Sequence, residues 1–126
     1  MQGACVPFVA IPRYTSFVGD QGEDGFTTVP MDLSAYDRGF LTVWRGPIVA
    51  DAAGATVLFY LEDSEDAQHW GLMLSQGPDG LDPGEDQTVR IAIGVLKKWF
   101  RVRTDLSGDD PAMTCWAVGE LVTRVG

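Results

Sequence analysis

The residues predict an all-β fold, an antiparallel β-sandwich of about seven or eight strands, and three observations lead there. Short runs of alternating apolar and polar residues recur along the chain, each bounded by Gly, Pro, Asp or Ser. No apolar stripe of helical period lasts longer than about two turns, and the residues around Leu96–Phe100 come nearest. The 126 residues, 45% of them hydrophobic, suffice for one core without covalent staples. A single domain over 1–126 is therefore expected, with sandwich and barrel both open as closures.

Taken in order, CVPFVAIP (5–12) is apolar, but two prolines keep it out of a central strand. Residues 1–25 thus read as an N-terminal arm lying on a neighbour or as an edge strand, ending in the acidic turn GDQGEDG (19–25). FTTVPMDL (26–33) is strand-like and SAYDRG (34–39) a turn. In FLTVWR (40–45), Phe40, Thr42 and Trp44 share one face, Leu41 and Val43 the other. GPIVADAAG (46–54) reads as a connection.

ATVLFYLEDS (55–64) is the clearest strand, with Val57, Phe59 and Leu61 on one face and Leu58 and Tyr60 opposite. HWGLMLS (69–75) follows, then a loop over 76–87 rich in Gly, Pro and Asp. TVRIAIG (88–94) points Val89, Ile91 and Ile93 inward and Thr88, Arg90 and Ala92 outward. KKWFRVRTDL (97–106) does the same with Phe100 and Val102 inward, and after the turn SGDDP, MTCWAVGELVTRV (113–125) closes the series.

Acidic residues outnumber basic ones 18 to 9, a formal charge of -9. A field of that sign repels nucleic acid and anionic membrane surfaces, but not neutral sugars, metal ions or a basic protein. No apolar run approaches the roughly 20 residues of a membrane helix. The first residues have no basic leader region, and Pro7 and Pro12 break their apolar run, so no signal peptide is expected and the chain reads as made and used in the cytoplasm. Cys5 and Cys115 could pair or stand as buried thiols.

Chemistry-bearing motifs are sparse. The single histidine, His69, has no serine or cysteine nucleophile in a recognisable motif, and Cys115 next to Trp116 reads as a small buried hydrophobe. Glu62, Asp63, Glu65 and Asp66, and Asp79, Asp82, Glu85 and Asp86, could offer oxygens to calcium, but neither run has the EF-hand register and both read better as solvated turns. No catalytic residue, cofactor or metal ligand is therefore assigned, and no enzymatic activity is expected. Among the four tryptophans, Trp116 is assigned to the core. Trp99 shares an outward face with Lys97, Arg101 and Arg103, a cationic and aromatic surface suited to an acidic patch on another subunit. Those four residues, with Phe8 in the arm, form the candidate interface.

Three stretches carry a resemblance to a family: TTVPMDLSAYDRGFLTVWRGPI (27–48), ATVLFYLEDSEDAQHW (55–70) and KKWFRVRTDLSGDDPAMTCWAVGEL (97–121). The second pairs a strand with an acidic turn and an aromatic, and the third looks like a closing strand pair broken by a Ser-Gly turn. Together they resemble small jelly-roll-like proteins among the head and virion structural components of tailed phages. The resemblance implies a jelly-roll-like sandwich in a virion, made in the host cytoplasm, acting as a capsid decoration or head accessory subunit. It also implies a homo-oligomer, often a trimer, contacting the major capsid protein or another virion subunit. The long loop at 76–87 and the acidic composition depart from that pattern. The rival expectation is a carbohydrate-binding module aiding surface attachment, which calls for a row of exposed aromatics on one face.

Overall fold

The computed structural model describes residues 3–73, 79–94 and 97–124. In these, nine strands build two antiparallel sheets: β1 (Cys5–Val18), β2 (Phe26–Thr27), β3 (Met31–Asp32), β4 (Tyr36–Val49), β5 (Thr56–Ser64), β6 (Gly71–Leu72), β7 (Gln87–Ile93), β8 (Trp99–Ser107) and β9 (Ala112–Thr123). The first sheet runs β1-β9-β4-β7. The second runs β2-β8-β5-β6, with β3 also paired to β8. The architecture is an all-β, two-sheet, jelly-roll-like sandwich.

Alternation explains which side chains meet between the sheets. Leu41 and Val43 of β4, Ile91 and Ile93 of β7, and Met113, Cys115, Ala117 and Leu121 of β9 face Val57, Phe59 and Leu61 of β5 and Phe100, Val102 and Leu106 of β8. All are buried. Each large side chain among them contributes roughly 1.5–3 kcal/mol by leaving water. The acidic turn at 19–25 is fastened to this frame, not free: the Gln21 side-chain oxygen accepts from the Leu106 amide at 2.8 Å and the Thr104 hydroxyl at 3.0 Å.

Several boundaries differ from those expected. The run 26–33 splits into β2 and β3, each two residues long, with the Val29-Pro30 step between them. Pro30 has no amide to donate, so the ladder along β8 is interrupted there. Tyr36–Gly39 and Gly46–Val49, expected as turn and connection, are strand: β4 gains pairing from β9 at both ends, through Tyr36↔Thr123 and Val49↔Ala112. Within 69–73, the described part of the expected strand 69–75, Gly71–Leu72 pairs as a strand, and residues 74–78, which include the start of the expected long loop, lie outside the described residues. The later part of that loop seals an edge, Leu81 exchanging backbone hydrogen bonds with Phe59 at 2.8 and 2.9 Å.

β1 lies along β9 at the margin of the first sheet, from Cys5↔Val122 to Val18↔Ala112. Its register shifts twice, between Val9 and Ile11 and between Ile11 and Thr15. The second shift places Pro12, Arg13 and Tyr14 opposite the single residue Trp116, and Tyr14 takes a left-handed backbone with φ of 63°. Such bulges redirect side chains from the pleat.

Candidate functional site

The expected interface is built by register on the outer side of the second sheet. Along β8, Trp99, Arg101 and Arg103 stand opposite Ser64, Glu62 and Tyr60 of β5. Glu62, only 7% exposed, accepts from Arg101 Nε at 2.8 Å and from Arg103 Nε at 3.1 Å. The two guanidiniums also pack on rings, Arg101 over Trp70 at 4.2 Å and Arg103 over Tyr60 at 4.0 Å. Lys97 lies 3.7 Å from the Asp63 carboxylate. Burial raises the Asp63 carboxyl above its ordinary range, with Lys97 pulling the other way. Trp99, Arg101 and Arg103 therefore share one face of β8, where Glu62 answers both guanidiniums. Lys97 reaches instead Asp63, the neighbour of Glu62 that pairs with the buried Phe100 and so alternates to the other side of β5. Phe8 is elsewhere: half-buried on β1, it points its ring edge-on to Phe100 at 6.3 Å, against the core.

The Ser64, Asp66 and His69 side chains touch, yet in an order unsuited to nucleophilic chemistry. Asp66 sits between the other two, taking the Ser64 hydroxyl at 2.9 Å and His69 Nδ1 at 2.7 Å. The imidazole cannot take the serine proton from there, and Ser64 is buried. Asp66 also accepts the amides of Gln68 and His69, so the cluster shapes the turn after β5. These bonds hold the Asp66 carboxyl far below the usual carboxylate range, and the Asp66 contact raises His69. Among the described residues, no three His, Cys, Asp or Glu side chains are grouped to hold a metal ion. Cys5 is exposed and Cys115 buried, both as free thiols.

A second surface occupies the outer face of the first sheet, and it was not assembled from sequence. Trp116, expected in the core, lies on this face because it alternates with the buried Cys115 and Ala117. It opposes Trp44 across the β4–β9 ladder, the two indoles 6.1 Å apart and 17° from parallel. The β1 bulge adds two groups: Arg13 lies over Trp116 at 4.8 Å, and Tyr14, 71% exposed, meets Trp44 edge-on at 6.2 Å. Farther along β4, Arg90 of β7 lies over Phe40 at 4.1 Å. A groove of about 420 Å³ runs across the sheet, lined by Arg13, Phe40, Thr42, Arg90, Val118 and Glu120. The alternation of FLTVWR and TVRIAIG already placed Phe40, Trp44 and Arg90 outward. What was missing was the strand order that makes them neighbours of Trp116.

A third surface is apolar. The edge of β1 that faces away from β9 and the segment from Phe26 to Met31 enclose a groove of about 340 Å³, lined by Val9, Ile11, Phe17, Phe26, Val29 and Met31 among others. Val9 is 57% exposed, Val18 79% and Val29 84%.

No protein-family model and no curated protein matches the chain. Solved structures do. The CBM22-1 xylan-binding domain from Paenibacillus barcinonensis Xyn10C aligns with a TM-score of 0.51 at 8% identity, covering 99% of this chain and 98% of that one. A chain of the cyanophage Pam1 capsid asymmetric unit aligns at 0.49 with 12% identity, over 95% of this chain and 86% of that one. A chain from the infectious bursal disease virus Gx strain aligns at 0.46 with 11% identity, over 98% of this chain and 33% of that one. At such identities the likeness to the xylan-binding domain is one of fold.

Proposed function

We propose that this chain is a non-catalytic structural subunit of a virus particle, a capsid decoration or head accessory subunit that works through protein–protein assembly. The observation that carries the reading is the apolar side of the sandwich. There the outer edge of β1 and the exposed Val9, Val18 and Val29 lie beside an apolar groove. Exposed apolar surface beside a sheet edge favours a protein partner over solvent. The partners proposed are further copies of the chain, a trimer being one arrangement, and the major capsid protein or another virion subunit. The pattern shared with phage head proteins supports that setting. The Trp99, Arg101, Arg103 and Lys97 face is the weaker candidate contact, since its cations already have partners within the chain.

Light scattering over a dilution series tests the reading. A stable symmetric oligomer that V9K and V29D dissociate is the expected result; both positions are exposed, so each variant retains the fold. A monomer at every concentration, unchanged by either variant, removes intrinsic self-assembly.

A second reading, a carbohydrate-binding module aiding surface attachment, is favoured by the outer face of the first sheet. Tyr14, Trp44, Trp116 and Phe40 share that face, and a xylan-binding domain has the same kind of sandwich. The two grooves meet at Val9, which lines both, while Arg13, Phe40 and Arg90 belong to the first and Phe26, Val29 and Met31 to the second.

A further inference from the structure

We propose that the groove on the outer face of the first sheet binds an acidic saccharide, a glycan bearing carboxylates such as uronic acids. The inference rests on the carbohydrate reading and adds to it the charge of the ligand.

The cations decide the class. Arg38, Arg45, Arg101 and Arg103 each pair with a carboxylate, as expected where acids outnumber bases 18 to 9. Arg13 and Arg90 do not. Each guanidinium packs on a ring, Arg13 on Trp116 and Arg90 on Phe40, and neither side chain has an ion pair or hydrogen bond among the described residues. Ring packing holds the planar guanidinium in place while leaving its N–H donors free for a bidentate carboxylate.

Position supports the same ligand. Arg90 pairs with Thr42, Thr42 with Val118 and Val118 with Val9, so the groove crosses all four strands. The guanidiniums lie over Phe40 of β4 and Trp116 of β9, rings on neighbouring strands four ladder positions apart, about 14 Å, a separation suited to two carboxylates along an oligosaccharide. The volume of about 420 Å³ is that of a small-ligand cleft. Thr42 and Glu120 supply acceptors for sugar hydroxyls, the Glu120 carboxylate offsetting one of the two arginines, and Phe40 supplies apolar surface within the groove, with Trp116 beside it under Arg13. A neutral sugar would leave both arginines unanswered. A flat acidic protein surface would have little use for acceptors inside a groove.

The backbone adds an independent indication. Tyr14 and Arg13 reach this face only through the bulge in β1, and Tyr14 bears a left-handed φ of 63° that a tyrosine rarely adopts. Strain of this kind gathers at ligand sites.

The test is calorimetric titration of the intact chain with a galacturonic acid tetramer, its methyl ester and xylotetraose. The acid is expected to bind at least about tenfold more tightly than either neutral probe, with affinity falling as salt rises. Arg13→Gln and Arg90→Gln should each weaken the acid by roughly five- to tenfold while leaving the thermal melt in place. Equal binding of the acid and its ester, or acid binding unaffected by both variants, overturns the inference while the carbohydrate reading stands. No binding of any probe removes both.

Discussion

Phe8 covers Gly119. A Cβ built on Gly119 would lie 2.6 Å from Phe8 Cε1 and would also collide with the carbonyl oxygen of Phe40. The glycine is required here by the close approach of a ring and a neighbouring backbone. It lets the Phe8 ring pass across β9 to reach Phe100. Gly119→Ala should therefore destabilise the fold by about 1–3 kcal/mol, as overpacking does, read as a lower urea midpoint with an unchanged slope.

Glu62 is the common acceptor of two half-buried arginines. Glu62→Gln keeps the shape but leaves Arg101 and Arg103 facing one another with one charge fewer between them. A loss of about 2–3 kcal/mol is expected, less than for a fully buried triad because both guanidiniums retain some water. Denaturant unfolding of the variant measures it. A neutral result would mean that ring packing on Trp70 and Tyr60 alone holds the two side chains.

The two thiols should separate cleanly. Burial pushes the Cys115 thiol up to about 12, while Cys5 is exposed. A thiol reagent at neutral pH should label one cysteine rapidly in the native protein and the second only at the rate of unfolding. Mass mapping should place the fast label on Cys5.

The pH response of the turn after β5 has a definite sign. Asp66 raises the His69 pKa above its ordinary 6.5, first by hydrogen bonding and then by charge. A group raised in the folded state contributes stability that is present below about pH 6.5 and is lost as pH climbs through the folded value. Asp66 is lowered, so its contribution is present above its ordinary 3.8 and is lost only as pH falls through a much lower folded value. NMR titration should find the His69 ring changing state above 6.5, and Asp66→Asn should bring it back toward that value.

Period-two runs were the legible part of this fold. Val57, Phe59 and Leu61, then Ile91 and Ile93, then Phe100 and Val102, are buried where alternation put them. β1 escaped because its inward positions are not evenly spaced. Phe8 faces inward with Gly119, the register then shifts, and Ile11 rather than Ala10 pairs with the buried Ala117. A second shift passes three residues before Thr15 meets Cys115. No count by twos survives that. The aromatic face was half legible for a different reason: alternation assigns a side to Phe40, Trp44 and Arg90, while adjacency comes from long-range pairing that local pattern does not encode. Trp116 was misplaced by its composition, although its own neighbour Cys115 implied the outward side.

The pairing of β1 with β9 also orders events during synthesis. β1 leaves the ribosome well before the strand that will cover its inner edge, because its partners run from Ala112 to Val122. Until those residues emerge, a long stretch of apolar backbone waits unpaired, and edge-to-edge capture by another nascent chain competes with native closure. Pro7 and Pro12, which lack the amide that such capture needs, stand within that waiting strand as its protection.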